Sequence, residues 1–240
     1  MPVPERPNQT ALNARFEFDA LRLANNYRRA ILREFASELR GRVLEIGAGI
    51  GQFTALLRSL PAVNHLLAVE PDAALAAEFR AANPTQPLLH GTSADLIDPE
   101  PWNAIVSVNV LEHIRDDAGE LARCRRLLAE RRGQLCLFVP ARPEIFAPLD
   151  RDFGHFRRYT RDGLRTVLTD AGFEVVRLDY FNCVGYLAWW FNFCLLARRH
   201  FTPASVRLYD RVIFPVVHAC ERTLGRPPIG QSLLAVARAA

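Results

Sequence analysis

The sequence predicts an α/β fold, in which a mostly parallel sheet carries helices on both faces. From residue 41 to residue 182, short apolar runs alternate with amphipathic segments, and glycines follow the first apolar run directly. Half of the 240 residues are hydrophobic and 23% are charged, a composition that can fill a sizeable core. Because strands that alternate with helices are typical of parallel sheets, these observations together predict the class.

The elements are expected in a simple order. Apolar residues at helical spacing predict an N-terminal helical cap over residues 1–40. Strands are predicted at residues 42–46, 65–70, 88–90, 104–108, 134–139, 173–181 and 232–236, and helices between them at 72–82, 116–131 and 160–171. The expected domain organisation is therefore the cap, a core over residues 41–182, an insertion over residues 183–230, and a final core strand in residues 231–240.

The insertion is much longer than a median connection of ~4–6 residues, and its aromatic, apolar composition predicts helices. Tyr180–Ala197 contains no charged residue over 18 positions, but its first residues belong to the preceding strand. The remaining segment of about 15 residues is shorter than the ~20 that a membrane span requires, so we expect no span. Extra core, a lid over the substrate, a dimer interface and a helix on the membrane surface remain as alternatives.

All 30 basic residues are arginine, and with 26 acidic residues the formal net charge is +4. The absence of lysine excludes lysine Schiff bases, Walker-type phosphate loops and lysine general bases. Residues 1–150 carry 17 arginines and 19 acids, whereas residues 151–240 carry 13 arginines and 7 acids. The basic surplus lies in the last part of the chain, and we expect no nucleic-acid partner.

The five cysteines are scattered, and no two of them form a C-x-x-C pair. This pattern favours free thiols in a reducing compartment over a disulfide framework or a zinc site. The first residues, Met1 to Arg6, contain no apolar signal segment. We therefore expect a cytoplasmic protein without a metal site, and we leave open a peripheral location at the inner membrane surface.

The strongest motif is a glycine-rich loop within residues 43–54, with glycines at positions 47, 49 and 51. Glycines at the carboxyl end of a strand let the backbone approach a ligand closely. A dinucleotide site would place its third glycine at position 52, which is Gln52, and a Walker loop would need a lysine. The spacing therefore disfavours both of these ligands.

Four motifs in order resemble one family. Residues 45–51 (EIGAGIG) are similar to the first motif of the class I S-adenosylmethionine-dependent methyltransferases. Residues 67–72 (LAVEPD) resemble its second strand, residues 91–96 (GTSADL) its adenine loop, and residues 108–114 (VNVLEHI) its fourth-strand motif, where LEH is typical of the small-molecule branch. The resemblance implies a Rossmann-like, seven-stranded sheet, S-adenosylmethionine as methyl donor and S-adenosylhomocysteine as product.

The resemblance and the chemistry of this cofactor indicate which residues bind it. Glu70 can accept hydrogen bonds from the ribose hydroxyls, and Glu45 with the loop amides can hold the amino-acid end. Thr92 replaces the usual acid of the adenine loop, which leaves Asp95 or a backbone carbonyl to bind the adenine amine. His113 either lines the pocket or caps the fourth strand. The predicted cofactor-binding residues are Tyr27, Glu45, Gly47, Ala48, Gly49, Gly51, Glu70, Pro71, Thr92, Ser93, Ala94, Asn109, Val110 and His113.

The acceptor site is predicted from residues 150–160, whose form D-x-x-x-G-H-x-R-R-Y-T resembles a subset of these enzymes. His155 is a candidate base near neutral pH, and Tyr159 is a candidate to orient the acceptor. The adjacent arginines could clamp an anionic group bidentately. Alternatively, Arg158 and Tyr159 tie the loop to the core, and Thr160 caps the next helix. The residues predicted to bind the acceptor are Arg157, Arg158, Trp189 and Trp190.

These observations predict methyl transfer to a small or lipid-like acceptor with an apolar body and a polar or anionic handle. The alternatives are a membrane lipid or a polyprenyl-linked intermediate as acceptor, and a partner protein that binds S-adenosylmethionine without catalysis. A nicotinamide oxidoreductase is disfavoured by the glycine spacing. The methylated atom and the oligomeric state are left open.

Overall fold

The computed structural model describes residues 22–97 and 100–240. Residues 1–21, which include the first half of the expected helical cap, and residues 98–99 lie outside the described residues. The strands are β1 (Gly41–Ile46), β2 (Val63–Glu70), β3 (Leu88–His90), β4 (Ala104–Val108), β5 (Gln134–Pro140), β6 (Phe173–Phe181) and β7 (Ser232–Ala239). In the described ranges these seven strands form one sheet, in the order β3-β2-β1-β4-β5-β7-β6. The predicted Rossmann-like, seven-stranded sheet is confirmed.

Most of the sheet is parallel, and only its last strand runs the other way. β1 to β5 run parallel to one another, whereas β7 is antiparallel to both β5 and β6. Because β7 is hydrogen-bonded on both sides, it extends to Ala239, beyond the predicted 232–236. The strand order reverses between β1 and β4, and ligands of such sheets bind beyond the carboxyl ends at this reversal.

Nine α-helices are present in the part of the chain that the structure describes, together with short 3₁₀ and π segments. The helices are α1 (Asn25–Phe35), α2 (Gln52–Leu57), α3 (Ala73–Ala82), α4 (Asp117–Leu128), α5 (Pro148–Asp152), α6 (Arg161–Asp170), α7 (Cys183–Trp189), α8 (Pro203–Leu208) and α9 (Phe214–Thr223). Thr160, the predicted cap, accepts from a backbone amide of α6, and Asp72 accepts from two backbone amides at the start of α3.

Side chains alternate between the two faces of the sheet, and each face has its own core. Leu44, Ile105 and Leu135 pack against α4 and α6 on one face. On the other face, sheet residues that include Val43 and Val106 pack against α1, α2 and α9. Both faces are therefore covered by helices, as the composition of the strands predicts.

Residues 183–230 fold into α7, α8 and α9, with π-helical turns at Trp190–Leu195 and Tyr209–Ile213. Both acidic residues of this segment are buried, and both cap helices. Asp210 accepts from the backbone N of Asn26 at 3.1 Å and of Tyr27 at 2.9 Å, in the first turn of α1. Glu221 does the same at the start of α7. In residues 22–97 and 100–240, every helix is too short or too polar to cross a membrane.

Candidate active site

Two cavities meet beyond the carboxyl ends of the central strands. The first has a volume of about 450 Å³ and is lined by residues that follow β1, β2 and β4. The second has a volume of about 610 Å³ and lies under the helices of residues 183–230. Four residues, Ala24, Tyr27, Asn109 and Phe153, line both cavities. The two spaces are therefore neighbours with a common wall.

The glycine-rich loop forms one wall of the first cavity. Gly47 has a φ of +76°, and a Cβ placed there would lie 2.2 Å from Cγ2 of Val110. Gly51, with a φ of +86°, begins α2, and a Cβ there would lie 2.4 Å from Nδ2 of Asn83. Side chains at these two positions are excluded both by backbone conformation and by space, so the loop presents backbone to the cavity.

Glu70 lies at the end of β2 with only 5% of its surface exposed. Its Oε2 accepts from the backbone N of Gly49 at 2.7 Å, and its Oε1 accepts from that of Asp72 at 2.9 Å. Burial raises the pKa of this carboxyl, and the two backbone hydrogen bonds oppose the shift. Each carboxylate oxygen keeps a second lone pair, so the group can also accept from a ribose diol at the cavity wall.

Glu45 lies at the end of β1, beside the glycine loop. Its Oε2 accepts from the hydroxyl of Thr54 at 2.5 Å. Burial raises the pKa of Glu45 to about 8, and the nearby Glu70 adds to the shift. A cationic group in the cavity would favour its ionised form, which suits the ammonium of an amino-acid moiety. The loop, Glu45 and Glu70 thus fit S-adenosylmethionine.

Most of the predicted cofactor-binding residues line the first cavity; they are Tyr27, Glu45, Gly47, Ala48, Glu70, Pro71, Asn109, Val110 and His113. Gly49 and Gly51 belong to the same loop but are not among the described residues that line this cavity. Asn109 follows β4 with a φ of +54°, a conformation that asparagine adopts more readily than most residues. This backbone turn places Asn109 between the two cavities.

The three residues predicted to form the adenine loop lie outside the wall of the first cavity. Among the described residues that form the first cavity, the wall includes none of Thr92, Ser93 and Ala94. Thr92 caps a short 3₁₀ turn and donates its hydroxyl to Asp95 at 2.8 Å, and Ser93 donates to Glu120 at 2.7 Å. Their polar atoms are engaged in local capping and in contacts to α4 rather than directed at the cavity.

Most of the surface that faces the second cavity is apolar, although many of the residues that line it are polar or charged. Trp189, Phe193 and Phe201 pack on one another with ring centroids 4.7 to 6.1 Å apart. Arg198 and His200 are among the polar lining residues from the insertion. A mostly apolar surface with polar groups that can fix a ligand's orientation is the usual form of a small-molecule site.

His155 reaches this second cavity on a buried polar network. Its Nδ1 lies 2.9 Å from Oδ1 of Asp150, and Arg158 donates from Nε to the same oxygen at 2.9 Å. Burial raises the pKa of the Asp150 carboxyl, but the hydrogen bonds from His155 and Arg158 outweigh it and hold the pKa below its usual value. The carboxylate therefore orients the imidazole so that Nε2 points away from Asp150, toward Glu112.

His113 and Glu112 lie next to this ring, in the 3₁₀ turn after β4. The rings of His113 and His155 meet edge to face with centroids 4.7 Å apart. Burial, together with the adjacent His155, lowers the pKa of His113 to about 3. Oε1 of the buried Glu112 lies 4.0 Å from Nε2 of His155. His113 lines the cofactor cavity, whereas Glu112 and His155 line the second cavity.

Three predicted acceptor contacts lie elsewhere. Arg157 forms an ion pair with Asp117 at 2.7 Å, and Tyr159 is 5% exposed and donates its hydroxyl to the same carboxylate at 2.8 Å. Trp190 is 45% exposed on the outside of the insertion. Within the described residues, none of these three lines either cavity. Tyr159 therefore belongs to the core, and it is not placed to act on an acceptor.

The two-arginine anion clamp also needs correction. Arg158 lines the second cavity, but its Nη1 donates to the carbonyl of Ala141 at 3.1 Å and Nε and Nη2 bind Asp150. Its guanidinium lies 4.4 Å from the ring of Trp189, which also lines the cavity. Arg158 and Trp189 thus form one wall, and Arg158 ties the loop to the core.

Sequence reasoning missed three residues that build this site. In the sequence, Asp150 and Glu112 stand out only as parts of motifs. The acid five residues before His155 is nevertheless a signal that could indicate a partner for that ring. Asp210 carried no signal, since its role depends on a contact with Asn26 and Tyr27 across 184 and 183 residues. Buried acids of this kind are recognised only once their partners are in place.

A methyltransferase-domain family model matches residues 19–178. Solved structures share the fold. The Haloferax volcanii protein solved with the Trm112 methyltransferase activator has a TM-score of 0.64 at 16% identity, with 98% of each chain covered. An S-adenosylmethionine-dependent methyltransferase from Mesorhizobium loti has a TM-score of 0.58 at 18% identity, covering 86% of this chain and 95% of that one. DhpI, solved with S-adenosylhomocysteine, has a TM-score of 0.60 at 18% identity, covering 96% and 94%.

No curated protein matches the chain in sequence. The family match spans well over half of the chain, and it agrees with the cavity between the glycine loop and Glu70, which fits S-adenosylmethionine. The chain therefore belongs to the methyltransferase-domain family and is a class I S-adenosylmethionine-dependent methyltransferase.

Proposed function

We propose that the enzyme methylates a lipid-like acceptor with an apolar body and a polar handle. The observation that carries this proposal is the second cavity, about 610 Å³ in volume, walled by aromatic side chains and adjoining the cofactor cavity at Asn109 and Phe153. An extended apolar body would fill the space beside Trp189 and Phe193. Its handle would then lie at the junction, next to His155.

The residues at the junction would position the reacting atom. S-adenosylmethionine supplies a methyl group that is already activated for transfer, so placing the acceptor within ~3–3.5 Å of it accounts for much of the rate. His155 lines this cavity, and its Nε2 would take the proton of a hydroxyl or amine acceptor that binds next to the ring. Asp150 would keep the ring in the required orientation. The helices of residues 183–230 would exclude water from the acceptor cavity.

The test is turnover with methyl-labelled S-adenosylmethionine against alcohols and amines that share one handle and differ in alkyl length. We expect the half-saturating concentration to fall about tenfold for each two methylenes added, since each buried methylene contributes ~0.8 kcal/mol. The water-soluble handle alone serves as control. Equal half-saturation for short and long acceptors would contradict an apolar body.

A second candidate, an acceptor embedded in a membrane, is favoured by the outer surface of residues 183–230. Thirteen large hydrophobic side chains are exposed among the described residues, and ten of them lie in this segment. They are Leu187, Trp190, Phe191, Leu195, Leu196, Leu208, Val212, Ile213, Val216 and Leu224. All six arginines of the segment are exposed, while its two acids, Asp210 and Glu221, are buried. Such an apolar and basic surface suits an anionic lipid headgroup layer.

Vesicle co-sedimentation tests this candidate. We expect binding to phosphatidylcholine vesicles that contain phosphatidylglycerol, and weaker binding at high salt or without the anionic lipid. Trp190→Glu should reduce binding about tenfold because it would place a charge against the headgroup and acyl boundary. Val176→Glu is the matched control, since Val176 is 51% exposed on β6, outside the segment. No binding at low salt, or equal loss in both variants, would count against membrane contact.

A further inference from the structure

Three side chains with metal-binding atoms meet at the junction of the two cavities. Glu112, His113 and His155 each offer one ligand atom, and these atoms lie within 4.8 Å of one another. Glu112 and His113 come from the turn after β4, and His155 comes from the loop after α5. The backbone N of Phe156 donates to the carbonyl of Glu112 at 2.8 Å. This hydrogen bond holds the two segments side by side.

His155 is the residue that points to a ligand. Its side chain is only 6% exposed, and its Nε2 has no hydrogen-bond partner among the described residues. The same nitrogen lies 4.0 Å from Oε1 of Glu112. A buried polar atom without a partner is rare and calls for an explanation, such as an ion or water that binds there. The atom is aimed at the space between Glu112 and His113.

Groups behind the two rings are arranged as they are in metal sites. Nδ1 of His155 lies 2.9 Å from the carboxylate of Asp150, and the ring of His113 forms a hydrogen bond with the backbone of Gly154. Metal-bound histidines usually donate their second nitrogen to a carboxylate or a backbone carbonyl, which fixes the ring. Arg158 forms an ion pair with Asp150 at 2.9 Å, which compensates the charge of the carboxylate behind His155.

We propose that Glu112, His113 and His155 bind one divalent transition-metal ion. Two imidazoles and one carboxylate suit Zn²⁺, Mn²⁺, Fe²⁺ or Co²⁺, whereas Mg²⁺ and Ca²⁺ prefer oxygen ligands alone. Three protein ligands leave coordination positions open, which is typical of catalytic rather than structural sites. This site departs from the sequence prediction, which expected no metal.

The open positions face the acceptor cavity, and this part of the inference rests on the proposed function. An acceptor hydroxyl would bind the ion through its oxygen and release its proton to solvent. That oxygen would form the bond to the methyl carbon while the carbon–sulfur bond breaks, which yields the methyl ether and S-adenosylhomocysteine. Nε2 of His155 is then a ligand, and the ion rather than the ring makes the acceptor oxygen nucleophilic.

The test is metal binding by the full-length chain after removal of metal with a chelator. Zn²⁺ and Mn²⁺ are titrated by calorimetry, and Co²⁺ is followed by its visible absorption. We expect one ion per chain, and at least tenfold weaker binding for His155→Asn and for Glu112→Gln. His218→Asn is the matched control. His218 is also buried, and in the described residues both of its ring nitrogens lack partners, but it lines neither cavity.

The outcomes separate this inference from the proposed function, because no acceptor is needed. Circular dichroism and S-adenosylhomocysteine titration show whether each variant is folded. If His155→Asn does not fold, Glu112→Gln provides the comparison alone. No ion bound above the level of the His155→Asn protein would overturn the proposal. So would binding that both variants retain. Ion binding lost in both variants supports it even if no lipid-like acceptor is methylated.

Discussion

The two cavities that meet at Asn109 are formed by different parts of the chain. The cofactor cavity has walls of backbone and short motifs at the ends of three parallel strands, and Gly47, Glu45 and Glu70 all lie within one residue of a strand end. The second cavity, which we propose holds the acceptor and call the acceptor cavity, has walls that include side chains from the loop around His155 and from residues 183–230. The first cavity is formed by the ends of the sheet strands, and the second is formed mainly by segments that pack beside the sheet.

This difference implies that the two sites can be altered separately. Substitutions in the glycine loop should change cofactor affinity, and substitutions under the insertion should change acceptor use. Residues at the shared wall connect the two cavities, and beside that wall His113 of the first cavity and His155 of the second meet with ring centroids 4.7 Å apart. The following predictions test the separation, beginning with the largest expected effect.

His155→Asn should lower turnover by about 10²–10⁴-fold, the usual range for loss of a general base, and leave S-adenosylhomocysteine affinity unchanged. If Nε2 of His155 binds a metal ion instead, the loss of that ligand would also lower turnover. The comparison is made by initial rates and calorimetry, with His218→Asn as control. Turnover within threefold of the parent enzyme would show that His155 is not required for the reaction.

Gly47→Ala should weaken S-adenosylhomocysteine binding about 100-fold, which corresponds to ~2.7 kcal/mol. The new Cβ would lie 2.2 Å from Val110, a stiff β-branched side chain, at a φ of +76°. Gly225→Ala is the control, because Gly225 has a φ of +101° with nothing within 4 Å of its Cβ position. If both variants bind equally well, the loop does not form the cofactor wall as described.

Ala188→Phe should raise the half-saturating acceptor concentration about tenfold, or ~1.4 kcal/mol, with cofactor affinity unchanged. Ala188 lines only the acceptor cavity, and a phenyl group there would occupy space meant for the apolar body. Leu187→Phe on the adjacent, 57% exposed position is the control. A parallel loss of cofactor affinity would show that the cavities are not separable.

The smallest effect concerns pH. Burial raises the pKa of Glu45 from its ordinary value of 4.5 to about 8, so between these values the folded protein holds more protons than the unfolded chain. The stability from this group is present in full below 4.5 and declines as pH rises toward 8. Melting temperatures of the cofactor-free protein should therefore fall more steeply with pH than those of Glu45→Gln. Equal slopes would place Glu45 in a more polar environment.

The sequence predicted the sheet and the cofactor loop well because their signals are local. Strand ends, glycine spacing and the acid at the end of β2 follow one another along the chain, and the parallel sheet brings strand ends together automatically. The role of Thr92 in binding adenine stays a prediction, and in the structure its side chain caps a three-residue 3₁₀ turn.

The acceptor site could not be predicted in the same way. Arg157 and Tyr159 both turn toward Asp117, and Tyr159 and that acid are 42 residues apart. Trp189 and Trp190 are neighbours in sequence, yet one is 6% exposed in the cavity wall and the other 45% exposed outside. Which ring faces inward depends on how the helix docks, and composition does not contain that information.

The sequence by itself determined the fold class, the cofactor and the reaction type, because each depends on residues close together in the chain. Only the tertiary structure decided which acids and rings lie around the second cavity. It brings Glu112 within 4.0 Å of His155 and places Asp150 behind that ring, whereas Asp210 caps α1 from the far end of the chain. Such contacts form only when the docking of separate segments removes these groups from water, so that each must find its partner there.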